Sequence, residues 1–368
     1  MYALETLDEA ALAGAVATHA AHVPLRVKIK LIWACNLKCP FCSQWRALGQ
    51  PPPRPGRLDD ARLTALLDDL TELGCRRVHL SGGEPLLKPD LARWVGEVVR
   101  RGMVCSMTSN GTLWTPERAE PLVAAGLSTV TFSVDSHLPA VHDRMRGQPL
   151  WHATVAGIRT ARQTARQLGR RLKIRSNTVV SRLNYRALAD LPDVLHGLGV
   201  RRMALLPVDD VRTHGTAPMR LEEPEIAEWN AEVAPRLAER ALALGLMREA
   251  AEAYPFGLAA DAIARAARGE HARGFYEANR CFAPWLHAVV AADGKVYGCC
   301  QMKGEGWALG DLTETSFRAI WTGEAYTGFR RALAATRPPV CHRCDDFLPE
   351  NAALEARLRT LSAAGPPP

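Results

Sequence analysis

From residue 26 to about residue 207 the chain alternates short β-branched runs with amphipathic ones, six times over. The pattern predicts strands over Arg26–Ala34, Arg76–Ser81, Met103–Ser109, Ser128–Val134, Leu172–Val180 and Arg201–Pro207. Between the first two, Leu63, Leu66, Leu67 and Leu70 follow the i, i+3, i+4, i+7 spacing of one helix face. Asp59 or Asp60 offers an N-cap for that helix and Gly74 a stop. A second helix starts at Pro89-Asp90, carries Leu91, Trp94, Val95 and Val98 on one face, and stops at Gly102. Thr115-Pro116-Glu117 opens a third, closed by Gly126. Proline suits the first helical position because its missing N–H would be unpaired there anyway. Strands alternating with helices through short connections imply a parallel sheet with right-handed crossovers. The fold class is therefore α/β: a partial, TIM-like (β/α)6 barrel. Reactive residues are expected at the carboxyl ends of its strands.

The rest of the chain breaks that rhythm. Residues 1–25 read as an N-terminal helical extension, 26–212 as the barrel, and 213–280 as an alanine-rich helical region with Pro224 and Pro235 as breaks. Residues 281–350 form a small C-terminal cysteine-rich domain, with five cysteines, a hairpin signal at Asp293-Gly294 and the pair Pro338-Pro339. A C-terminal helix and a tail expected to be disordered fill 351–368.

Composition narrows the class. At 40.2 kDa the chain accommodates one barrel and an accessory domain. Its 47% hydrophobic and 23% charged residues are those of a globular enzyme. No apolar run reaches transmembrane length, which predicts no membrane partner. The first 23 residues carry Glu5, Asp8 and Glu9 where a signal peptide is basic, and read as a surface helix. Ten cysteines without an export signal point to a cytoplasmic, reducing location and to metal ligation. The densest basic run, Arg159 to Arg175, has no interleaved aromatics and reads as a solvated helix face, not a nucleic-acid surface. The net charge of +7 suits docking of an acidic electron donor.

The chemistry concentrates in Cys35-Asn36-Leu37-Lys38-Cys39-Pro40-Phe41-Cys42, directly after the first strand. Three thiols on one short loop can hold a metal centre. A structural zinc takes four ligands, usually in separated pairs. A cubane cluster takes one thiolate per iron, so three would leave one iron open to a substrate. A zinc loop completed from elsewhere is the competing reading. After the second strand comes Ser81-Gly82-Gly83-Glu84-Pro85, whose paired glycines let a ligand lie against the backbone and whose carboxylate can hold an ammonium. Thr108-Ser109-Asn110-Gly111-Thr112 and Ser133-Val134-Asp135-Ser136 add polar groups at the next two strand ends. Each of these also makes an ordinary turn.

C-x3-C-x2-C with an aromatic before its last cysteine, followed by Gly-Gly-Glu-Pro, resembles the radical S-adenosylmethionine (radical SAM) superfamily over roughly residues 26–207. The resemblance implies a [4Fe-4S] cluster on Cys35, Cys39 and Cys42, its fourth iron chelated by the amino and carboxylate groups of SAM. It places Phe41 at the adenine and Gly82, Gly83 and Glu84 at the methionine amino group. Ser109, Asn110, Ser133 and Asp135 match positions that line ribose or carboxylate in relatives. Asn177, the backbone near Leu206, and Arg146 (reaching the SAM carboxylate) are further cofactor contacts it suggests. Reductive cleavage of the sulfonium would give methionine and a 5′-deoxyadenosyl radical that abstracts a substrate hydrogen.

The C-terminal region resembles the SPASM/twitch extension of the same superfamily. Cys281 and Cys299 flank Gly294, and Cys341-x2-Cys344 follows. No cysteine follows Cys344, so the shortened twitch form with a second, auxiliary [4Fe-4S] cluster fits better than a full SPASM domain. Its ligands would be Cys281, Cys299, Cys341 and Cys344, with Cys300 an alternative to Cys299; a zinc ribbon is the competing reading. Asp209 and Asp210, with His214 shortly after, follow the sixth strand and are candidates for substrate contact or general-base work. Cys105 on the third strand could donate a hydrogen from inside the barrel, as in epimerising relatives, or be a core residue.

Relatives of this layout include an aminocyclitol dehydrogenase and aminoglycoside epimerases, whereas longer SPASM relatives modify ribosomal peptides. No extra peptide-recognition domain is visible before the first strand. The expected substrate is therefore a small polar molecule, sugar- or aminocyclitol-like, with a flavodoxin- or ferredoxin-type donor; oxidation is the first reading of the reaction, with epimerisation and carbon–sulfur or carbon–carbon bond formation left open. A peptide maturase is the first alternative and a non-catalytic zinc protein the second.

Overall fold

The computed structural model describes residues 4–42, 58–209, 219–302 and 306–363. Asp8 caps α1 (Glu9–Thr18) by accepting from the Ala11 N–H at 2.9 Å. The barrel then alternates β1 (Arg26–Ile32), α2 (Asp60–Glu72), β2 (Arg77–Gly82), α3 (Leu91–Arg100), β3 (Val104–Ser109) and α4 (Pro116–Ala124). It continues through β4 (Thr129–Ser133), α5 (Pro139–Arg146), α6 (Trp151–Gln167), β5 (Lys173–Val180), α7 (Leu191–Gly197) and β6 (Met203–Pro207). All six predicted strands are present, each within two residues of its expected start and end. Asp59 caps α2, accepting from Arg62 N–H at 2.9 Å, and Leu63, Leu66, Leu67 and Leu70 are its buried face. Asp90 does not cap α3; its carboxylate takes the Trp94 indole N–H at 2.7 Å and pairs with Lys88.

Every neighbouring pair from β1 to β6 is parallel. On β1, β3, β4, β5 and β6 buried residues alternate with more exposed ones, whereas on β2 Val78, His79 and Leu80 are buried in succession. Val27, Ile29, Leu80, Met107, Val130 and Phe132 pack with the helices in one continuous core. The residues between them face the other, concave side.

Within 213–280 the described residues include α8 (Glu223–Glu228), α9 (Ala234–Ala243) and α10 (Ala260–Ala267). Pro224 and Pro235 do not break these helices. Each sits in a first turn, and a π turn over Trp229–Val233 joins α8 to α9 without needing the proline N–H.

The cysteine-rich region does not stand apart. β7 (His287–Val290) adds a parallel strand to the free edge of β1, and β8 (Lys295–Tyr297) and β9 (Gly310–Asp311) follow antiparallel. One sheet therefore runs β6-β5-β4-β3-β2-β1-β7-β8-β9. The predicted hairpin at Asp293-Gly294 turns with Gly294 at φ +92°, a left-handed conformation that favours glycine. Beyond it lie α11 (Phe317–Thr322), α12 (Glu324–Ala335) and α13 (Leu348–Ala363). The two ends of the chain meet: Leu12, Ala15 and Val16 of α1 pack on Trp285, Leu354 and Leu358. The expected surface helix is thus half core, tied by the Trp285 indole N–H to the Ala15 carbonyl at 3.2 Å. Among the described residues no helix is long and apolar enough to cross a membrane.

The tightest backbone approach is at the end of β2. A Cβ on Gly83 would stand 1.9 Å from the Ala34 carbonyl oxygen, and one on Gly82 would stand 2.3 Å from that of Ile32. Gly96, inside α3, has only the Ala125 methyl near, at 3.9 Å. Gly83→Ala is therefore expected to destabilise the fold by about 2–3 kcal/mol in urea unfolding. Gly96→Ala should instead stabilise it by about 0.5–1 kcal/mol; equal effects of the two changes would refute this assignment.

Candidate functional site

The Cys35–Cys42 loop leaves the carboxyl end of β1, at the rim of the sheet. Cys39 is buried, Cys35 and Cys42 are half-buried, and none of the ten cysteines forms a disulfide. The loop is braced from three sides. Gly83 N–H donates to the Ile32 carbonyl at 2.7 Å and Glu84 N–H to that of Ala34 at 2.9 Å. Asn36, inside the cysteine motif, accepts from the Asn110 amide at 2.9 Å and donates to Thr112 Oγ1 at 2.8 Å. The Gln148 amide reaches the Asn36 carbonyl at 3.3 Å.

These contacts change the parts assigned to several residues. The paired glycines pass against the backbone of Ile32–Ala34, where a Cβ at either position would collide with a carbonyl oxygen. Glu84 is 1% exposed, and its carboxylate accepts from Ser109 Oγ (2.8 Å), Asn110 N–H (2.8 Å) and Leu86 N–H (3.2 Å). Burial raises its pKa to about 7 against those donors. The carboxylate predicted to hold an ammonium thus ties β2 to the turn after β3. Ser109 is consumed in the same network, also receiving Gly111 N–H and the Trp114 indole N–H. The Asn110 side-chain oxygen receives Thr112, so neither residue turns its side chain to a ribose. Both position the cysteine loop.

A second brace follows β4. Asp135, fully buried, pairs with Arg146 at 2.8 Å and accepts from Val179 N–H at 2.9 Å. Its carboxylate is therefore internal, not a ribose ligand. Burial works against the Arg146 charge, but Asp135, Cys39 and Cys42 outweigh it and hold its pKa above the ordinary arginine value. Its guanidinium lies 5.6 Å from the Phe41 ring, and its Nε is buried without a partner. One donor thus remains for an anion beside the cysteine loop. Phe41 packs with Met145, Val208 and Met219, an apolar patch at the rim. Ser133 and Asn177 stand opposite each other on β4 and β5, half-buried on the concave face, and Leu206 lies in register with Val179 next to them.

The catalytic candidates fare differently. Cys105 is on the helix side of β3, 0% exposed within the main core, and burial pushes its thiol up to about 12. It packs and does not face the barrel interior. Asp209 forms an ion pair with Arg343, beside Cys344, and so bridges β6 to the C-terminal cysteines. That pairing engages the carboxylate expected for substrate contact or general-base work. Asp210 and His214 lie outside the described residues.

Cys281, Cys299, Cys341 and Cys344 line one cavity of about 460 Å³, counting its mouth, walled by Tyr276, Met302, Phe329 and Leu333. Cys300 also touches it, but its sulfur lies 3.8 Å from His287 Nε2, and it packs with Trp33 and Tyr297. The other four cysteines cluster with one another. Burial raises all four thiols, Cys341 to about 12, and neighbouring thiols raise Cys299, Cys341 and Cys344 further. Thiolates crowded in such a place need a cationic centre to offset their charge. Among the described residues no three metal-binding side chains converge on a single ion's position. A cubane, one thiolate per iron, takes a wider spread than one ion does. Sequence reasoning missed Asn36, Arg343 and His287. Asn36 lay within the motif, but only its long-range partners disclose what it does.

Comparison with known proteins matches the same two regions. The radical SAM superfamily model covers residues 29–175, and an iron–sulfur cluster-binding domain (SPASM) model covers 281–345. An AdoMet-dependent heme synthase of Nitratidesulfovibrio vulgaris is 29% identical over 167 residues, 45% of this chain and 43% of that protein. The chain spans about half the length of that and similar curated relatives. A PqqA peptide cyclase of Ruegeria pomeroyi is 26% identical over 348 residues, 94% of this chain and 85% of that one. Among solved structures, Streptococcus suis SuiB bound to S-adenosylmethionine superposes with a TM-score of 0.65 at 17% identity, covering 91% of this chain and 75% of SuiB.

The cavity geometry separates the two adjacent thiols. Cys299→Ser should lower the iron content of reconstituted protein by about four per chain, one cubane's worth. Cys300→Ser should leave it unchanged. The reverse pattern would show that Cys300 is the ligand.

Proposed function

Since the chain belongs to the radical SAM superfamily and carries a C-terminal SPASM iron–sulfur domain, we propose that it modifies a peptide by radical chemistry at the barrel rim. The carrying observation is the braced loop that presents Cys35, Cys39 and Cys42 together beside the buried Arg146. In this reading those three thiols hold the SAM-binding cluster, and Cys281, Cys299, Cys341 and Cys344 hold the auxiliary one. When bound, the rim cluster and SAM supply reductive cleavage of a sulfonium and abstraction of a substrate hydrogen.

The residues of the chain bind and orient. Phe41 and its apolar neighbours offer a face for an adenine. The unpartnered Nε of Arg146 can donate to a carboxylate, and Asp135 fixes that side chain from behind. Ser133 and Asn177 offer polar groups to a ribose from the concave face. Glu84, Ser109 and Asn110 keep the cysteine loop from moving when charge arrives.

The sugar- or aminocyclitol-like substrate expected from the sequence gives way here to a peptide. Two findings support the change. The relative aligned over 94% of the chain is named a PqqA peptide cyclase. The SuiB fold, also seen bound to its precursor peptide SuiA, is shared across 90% of the chain. An acidic flavodoxin- or ferredoxin-type donor, in the cytoplasm, is the electron source that the +7 charge favours.

Reconstituted protein with dithionite and SAM is expected to release methionine and 5′-deoxyadenosine, measured by liquid chromatography. Cys39→Ala should reduce that release by at least about a thousandfold, to background. Zinc in place of iron and sulfide, or undiminished release by the variant, would end this reading.

A further inference from the structure

Two buried side chains from outside the matched iron–sulfur domain meet at the wall of its cavity. Tyr276 stands on the one-turn helix Phe275–Ala278, before residue 281, and Asn351 in the first turn of α13, after residue 345. Asn351 is 0% exposed and Tyr276 is buried beside it, so the protein itself must satisfy both polar groups.

Hydrogen bonding fixes which way each group points. Asn351 Oδ1 accepts the N–H of Phe282, the residue directly after Cys281, at 3.0 Å. That orients the amide, and its Nδ2 donates to the Tyr276 hydroxyl oxygen at 3.1 Å. A hydroxyl that accepts from Asn351 turns its own proton elsewhere. The Cys344 sulfur lies 3.8 Å from that oxygen, within reach of a hydrogen bond to sulfur. Burial raises the Cys281 thiol as well, and hydrogen bonds from the Ala283 N–H, Tyr276 and Asn351 oppose the rise. A backbone N–H, an amide and a phenol thus form a directed chain that ends on sulfur. Met302, Phe329, Leu333 and Phe347, which wall the same cavity, carry no side-chain donor. In such apolar surroundings a hydrogen bond to a charged acceptor is stronger than it is in water.

An electron added to a thiolate-ligated cluster makes it more negative, and the ligand sulfurs share that charge. A donor aimed at one of them stabilises the reduced form more than the oxidised form. We propose that Tyr276, oriented by Asn351, donates a hydrogen bond to the Cys344 ligand of the auxiliary cluster and raises that cluster's reduction potential. Both are positioning residues, since they touch a ligand and not the substrate. Were the pair only a pin holding α13 against the cavity, the potential would not register its loss. The inference rests on the reading that Cys281, Cys299, Cys341 and Cys344 hold a cluster.

The test is an anaerobic redox titration of reconstituted full-length protein, followed by electron paramagnetic resonance of the reduced clusters. Added SAM identifies the rim signal by changing it, and the auxiliary signal is the one that stays. Tyr276→Phe removes the hydroxyl and keeps the ring. It should make the auxiliary cluster about tenfold harder to reduce, a fall of about 59 mV for one electron. The rim potential in the same samples should not move. Tyr326→Phe deletes another buried hydroxyl, one that donates to the His287 carbonyl at 3.4 Å, and should leave both potentials in place. About eight irons per chain, two cubanes' worth, show that each variant is loaded. An auxiliary potential unchanged in Tyr276→Phe, or lowered equally in Tyr326→Phe, overturns the proposal. Wild type alone gives a second measurement. In deuterium oxide its reduced auxiliary cluster should couple to an exchangeable deuteron, and absence of that coupling also overturns the proposal. Wild type that takes up only about four irons would instead remove the underlying reading, and is scored before either measurement.

Discussion

The site depends on a close passage of backbone past backbone. At Gly82 and Gly83 the end of β2 runs so near Ile32–Ala34 that neither position has room for a methyl group. The approach lets the sheet ladder continue one step beyond β1 proper, through the Gly83 and Glu84 N–H groups, into the first residues of the cysteine loop. A loop that must hold thiolates has its own repulsion to resist. Here the resistance comes from main-chain hydrogen bonds, not from the metal alone. Glu84 extends the brace to the next strand end, and Asn110 carries it back to Asn36. The circuit closes around Cys35.

The same logic joins the two thiol sets. β7 lies directly beside β1, so the strand that delivers the rim cysteines is hydrogen-bonded to the one that leads toward Cys299. Asp209 and Arg343 add a second tie, between the end of β6 and the Cys341–Cys344 turn. Chemistry at the rim and in the C-terminal cavity is therefore held on one continuous sheet. The concave face between them is lined by hydroxyls and cations.

Much of this was readable in the residues. The six strands announced themselves because apolar and polar positions alternate where one face meets helices and the other a polar interior. The rim thiols were legible because a three-thiol loop is local in sequence. β7 was not assigned to the sheet, since His287–Val290 is buried throughout and carries no alternation. Glu84, Ser109 and Asn110 looked like ligand contacts because their true partners lie 25 to 74 residues away.

A cubane held by Cys35, Cys39 and Cys42 alone would have one iron without a thiolate. Pulsed electron–nuclear double resonance on the reduced protein, with SAM labelled by ¹⁵N at its methionine amino group, looks at that iron directly. A hyperfine coupling between the label and the rim cluster is the predicted result. A reduced cluster that shows no coupling to bound, labelled SAM would mean that no iron is open there, and would contradict the account at its base.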